Sequence, residues 1–157
     1  MEHGGITVIP DLAHEETTWA EKEVFRANRH AAGNARLYTL MYLRWYLSVD
    51  HGFADIEDLA AIGHVLVANA VAYSGVPEYA EIPMQWALLQ SGAFVIQVRD
   101  AQRDFPEFDK VLAWEPAEGE RPRGLWTARQ LGAEVTYAPK DSGKIVQAVI
   151  MPRSVPA

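Results

Sequence analysis

A chain of 157 residues with 49% apolar content matches one domain and can fill a single core. It has no cysteine, which excludes disulfides and thiolate metal sites, and no apolar run of about eighteen residues that would span a bilayer. The opening Met1-Glu2-His3-Gly4-Gly5 lacks the basic-then-apolar pattern of a secretory leader, and 14 basic against 21 acidic residues (net −7) disfavour a direct nucleic-acid partner, so a cytoplasmic protein is expected.

The first stretch is mixed. Ile6-Thr7-Val8-Ile9 is a candidate short strand before Pro10, and residues 11–23 are polar with one tryptophan. Residues 1–26 are therefore read as an N-terminal extension, 27–152 as a single domain and 153–157 as a tail. A first helix is expected over 28–50, with Leu40, Leu43 and Leu47 spaced three and four apart, and Gly52 marking its end. A second starts near Asp55, whose carboxylate can cap free backbone N–H groups, and runs to Ser74-Gly75 through Leu59, Ile62, Leu66, Ala70 and Tyr73. Residues 82–90 and 94–99 read as a hairpin around Ser91-Gly92. Pro83 cannot donate a ladder hydrogen bond, so the first of these strands should begin irregularly or lie at an edge.

Residues 104–122 read as a surface loop with one short helical turn, and 123–131 as a short helix. Two further strands, 134–138 and 144–151, follow around Asp141-Ser142-Gly143. This order predicts an α+β two-layer sandwich, with helices on one face of a mixed, largely antiparallel sheet.

Polar residues on these elements are the candidates for chemistry. Val65, Asn69 and Tyr73 are four apart on the second helix and share one face. An asparagine inside an apolar helix lowers helix propensity and needs partners if buried; the plain alternative is a satisfied core asparagine. Asp100 stands at a strand end, where aspartate often serves a turn. Gly124 opens a short helix, as an ordinary loop-to-helix glycine also does. The five histidines form no i, i+4 pair with an acidic partner, so a zinc site is unsupported. Arg121, Arg123 and Arg129 make one small basic group. Trp114 and Trp126 flank the loop that would cover a pocket here; exposed, they would mark a partner surface.

Taken in order, Leu66-Val67-Ala68-Asn69-Ala70-Val71, Val98-Arg99-Asp100, Arg123-Gly124-Leu125 and Gly143-Lys144 resemble the GHKL (Bergerat-fold) ATPase superfamily. Within it they are most similar to the bacterial anti-sigma factor serine kinases, over residues 27–151. The resemblance implies a histidine-kinase-type ATPase fold and a pocket for ATP or ADP with Mg2+. Asn69 would help hold the magnesium, a role that suits an amide oxygen. Asp100 would accept a hydrogen bond from the adenine amino group. Arg123, Gly124 and Leu125 would form the segment whose backbone N–H groups face phosphate.

The chain also departs from that pattern. Val65 stands where the family carries its catalytic glutamate, and a positioned general base typically contributes about 10²–10⁴ in rate. Shifting the register by one residue brings in His64, expected on the wrong side of the helix, and no carboxylate. Glu57, Asp58 and Glu118 lack the spacing to substitute. Tyr73 replaces a usual histidine, Pro122 removes an N–H, Ala101-Gln102-Arg103 lacks a glycine-rich turn, and Ile145 replaces a threonine of the base pocket. The expectation is a regulatory protein with no catalytic residue, weakened or lost ATP binding, and a sigma factor or anti-anti-sigma-like protein as partner, acting as a possible homodimer. The alternatives are an active ATP-dependent serine/threonine kinase and an accessory protein that reuses the fold.

Overall fold

The computed structural model describes residues 16–47, 52–53, 55–73, 75–101, 108–121, 124–140 and 143–153. Five strands and four helices occur among them: β1 (Thr17–Arg26), α1 (Ala31–Tyr46), α2 (Ile56–Tyr73), β2 (Glu81–Leu89), β3 (Phe94–Asp100), α3 (Phe108–Ala113), α4 (Gly124–Gln130), β4 (Glu134–Lys140) and β5 (Gly143–Ile150). The strands form one sheet in the order β1-β2-β3-β5-β4, and every described pairing is antiparallel, so the sheet is not mixed. The helices cover one face. Trp86, Phe94, Ile96 and Val146 from the sheet meet Leu43, Ile62, Leu66 and Leu125 from the helices in one core.

Local chemistry accounts for the helix ends. Asp55 caps α2 as its sequence position predicts: its Oδ1 accepts from the Glu57 N–H at 2.9 Å and its carbonyl from Leu59 N–H at 3.2 Å. α1 begins at Ala31 behind an Asn28 turn, in which the Asn28 Oδ1 accepts from the His30 N–H at 2.9 Å. It stops at Tyr46, short of the expected end, because Leu47 turns to an extended conformation. The two helices meet closely at Gly63, where an added Cβ would lie 2.6 Å from Thr39 Oγ1. That hydroxyl donates to the Ala35 carbonyl at 2.6 Å and accepts from the Trp86 indole N–H at 2.9 Å. It thus satisfies a fully buried tryptophan and ties α1 to β2.

Residues 17–26, placed by sequence in an extension, form an edge strand of the same sheet. The register sets Glu21 opposite Trp86, Glu23 opposite Met84 and Phe25 opposite Ile82. The two glutamates therefore stand on the helix-covered face, where they accept from the Tyr46 and Tyr42 hydroxyls. Burial and then the hydrogen bond to Glu23 raise Tyr42 well above the ordinary phenol range. β2 lies inside the sheet and not at an edge, with Pro83 opposite Val24 of β1; only its ladder to β3 starts late, at Met84. The candidate strand at Ile6–Ile9 and the turn at Asp141 and Ser142 lie outside the described residues.

Candidate functional site

A cleft of about 1040 Å³ opens between α1, α2, α3 and α4. That is the scale of a small-molecule site. Its floor is the α2 face predicted from the four-residue spacing, with Val65 and Asn69 side by side. Arg36 enters from α1, Lys110 from α3 and Gly124 from the start of α4, where it has φ 69°. His64 lines the same cleft as Val65. The one-residue offset thus leaves both side chains within the concave surface, contrary to the expectation that His64 would point away.

Asn69 is 5% exposed, and its Nδ2 has no hydrogen-bond partner among the described residues. A buried amide N–H without an acceptor typically costs about 1–3 kcal/mol. Among the described residues no aspartate or glutamate lines the cleft, whereas Arg36, His64 and Lys110 do. Arg36 also pairs with Glu57 at 3.1 Å, and Glu57 approaches Arg44 at 3.7 Å. The surface is rich in donors and poor in acceptors.

Asp100 sits elsewhere. It ends β3 opposite Lys144 of β5, and Lys144 Nζ lies 2.9 Å from its Oδ1. The two residues are 3% and 2% exposed, and neither lines the cleft. The backbone closes over them at Gly143, where φ is 145° and a Cβ would lie 2.0 Å from the Asp100 carbonyl oxygen. Strand alternation explains a second difference. With Lys144 and Val146 facing the helices, Ile145 falls on the opposite face beside Arg99, and it does not line the cleft.

Of the sequence-predicted site residues, the cleft brings together Asn69 and Gly124. Leu125 is wholly buried in the core, and Asp100 is held beneath the sheet end. Arg123, Pro122 and the Tyr73 side chain lie outside the described residues. Sequence reasoning missed Arg36 and Lys110 as lining residues. The only signal for Lys110 was the short apolar spacing of Phe108, Val111 and Leu112 within a charged, proline-rich segment. Among the described residues no three His, Asp or Glu side chains are grouped to hold a metal, and no helix is long and apolar enough to cross a membrane. The donors present can meet phosphate oxygens; Asn69, the one residue expected to hold a metal, lines the cleft, and Asp100 Oδ1 is engaged by Lys144.

No family model matches the chain, and no curated protein matches it by sequence. Among solved structures it is similar to the crystal structure of the RsbU and RsbW domains of Rv1364c from Mycobacterium tuberculosis, with a TM-score of 0.60 and 18% identity over 88% of this chain. The match spans 35% of that chain's length. At this identity the similarity shows a shared fold, in keeping with the histidine-kinase-type ATPase architecture implied by the sequence motifs.

Proposed function

We propose that this chain is a regulator of the partner-switching kind, which acts by binding a protein of the sigma factor or anti-anti-sigma class and carries out no efficient phosphoryl transfer. The observation that carries this reading is Val65 on the cleft floor beside Asn69, with no carboxylate among the described residues that line the cleft. An apolar side chain there cannot take a proton from a serine hydroxyl, and Glu57 is occupied by two arginines. The internal Asp100–Lys144 pair supports the same reading, because it withdraws the group that the family resemblance assigns to adenine.

The test is transfer of labelled γ-phosphate from ATP to anti-anti-sigma-type proteins, run beside a binding assay for the same proteins. The expected result is a stable complex and no labelled product. Labelled product from the wild-type chain would overturn the proposal. His64 favours one second reading, an active kinase, because its imidazole lines the cleft and can accept a proton. That reading requires wild-type transfer and its loss in His64→Ala.

A further inference from the structure

We infer that the outer face of α1 docks an amphipathic helix of a partner protein, apolar on one side and acidic at its flanks. This docking deepens the partner-binding role proposed above and rests on it. It lies on the ridge beside the cleft, with Leu37 at the rim.

A surface helix ordinarily turns charged or polar side chains to water. α1 does not: over Ala31–Tyr46 it contains no aspartate, glutamate or lysine. Leu37, Met41 and Trp45 stand one turn apart on its outer face, 62%, 43% and 76% exposed, and Tyr38 and Tyr46 beside them are exposed too. Single exposed apolar side chains are ordinary, whereas a contiguous apolar face marks an interaction surface. The rings at its edges are fixed from below. Tyr46 stacks on buried Trp19 at 4.7 Å between centroids, and Tyr38 packs against buried Phe25 at 5.6 Å. Rings held in place before binding lose little freedom when a partner arrives.

The charge on this helix selects the partner. Arg36 and Arg44 are its only charged side chains, and both reach Glu57 of α2, at 3.1 and 3.7 Å. One carboxylate thus serves two guanidinium groups, which leaves a positive charge beside the apolar stripe. Glu21 and Glu23 lie beneath the helix, on the covered face of β1, and accept from the Tyr46 and Tyr42 hydroxyls. Tryptophan, tyrosine, methionine and arginine together are the residue types that anchor protein interfaces. A carboxylate on the partner's flank meets the surplus at Arg44, whereas α1 of a second copy would bring two more arginines and no carboxylate. An anionic membrane would also meet arginine and tryptophan, but the net charge of −7 opposes its approach.

A fluorescent peptide of about 20 residues, long enough to form a helix, tests this against the full chain. It carries leucine on one face and glutamate on the flanks; a twin carries lysine in place of glutamate. Anisotropy is expected to show the glutamate peptide binding at least roughly tenfold tighter than its twin. Trp45→Gln should weaken it by roughly tenfold, and Arg44→Glu should reverse the preference between the two peptides. Both side chains are exposed, so the variants keep the fold, which an unchanged melting temperature verifies. No binding, equal binding of the two peptides, full binding by Trp45→Gln, or an unreversed preference in Arg44→Glu would each overturn the inference. So would a dimer in sedimentation that Trp45→Gln dissolves, which gives the face to a second copy. Binding to equimolar phosphatidylserine–phosphatidylcholine vesicles that the same variant abolishes would overturn it as well. The regulator reading fails by a different result, labelled product in the transfer assay, so the two can fail separately.

Discussion

The helical cleft and the strand ends of β3 and β5 are two of the places where the described residues bury polar groups inside an apolar core, and they do it differently. At the strand ends Lys144 Nζ donates to Asp100 Oδ1 at 2.9 Å, Oδ2 stays outside that hydrogen bond, and the backbone closes over the pair at Gly143. In the cleft, Asn69 is buried beside an open volume with an amide nitrogen that no described residue accepts from. A buried ion pair under a closed backbone maintains a fold. A buried donor without an acceptor costs stability. The ion pair accounts for the burial of Asp100 within the fold, whereas the Asn69 Nδ2 has no acceptor among the described residues, although the sequence motifs assign ligand contacts to both.

The largest expected effect falls on the closed end. Lys144→Ala leaves the Asp100 carboxylate buried without its cation, and loss of about 3–5 kcal/mol is expected from denaturant unfolding. The double variant Asp100→Leu with Lys144→Met removes both charges together and should recover most of that loss. If Lys144→Ala is neutral, water or ligand reaches Asp100, and the contrast between the two regions fails. Gly143→Ala comes next. Its Cβ would collide with the Asp100 carbonyl at a φ that side chains rarely adopt, so a loss of about 3 kcal/mol is expected, read from the shift of the denaturation midpoint.

What the sequence discloses follows from how local each interaction is. The α2 cap is legible because Asp55 and the N–H it accepts from are two residues apart. The cleft floor is legible because Val65 and Asn69 lie one turn apart on one helix. The Asp100–Lys144 pair spans 44 positions and depends on β5 inserting between β3 and β4, which no short pattern encodes. The same limit placed Ile145 in the pocket, since the facing of β5 follows from its register with β3. β1 was hidden for a different reason. Its inward positions include Glu21 and Glu23, which meet tyrosine hydroxyls, and this erases the alternation of apolar and polar residues that marks a half-buried strand.

The smallest effect has the opposite sign and separates the two regions most sharply. Asn69→Leu replaces an amide of similar size with an apolar side chain, among neighbours that include Val65 and Ala68. Removing a buried donor that lacks an acceptor should raise stability by about 1 kcal/mol. A thermal melt checks the sign. Stability that rises marks a donor that the fold leaves without an acceptor. Stability that falls would mean that the amide is already satisfied within the protein, which would make Asn69 a core residue like Thr39 and remove the distinction between the cleft and the strand ends.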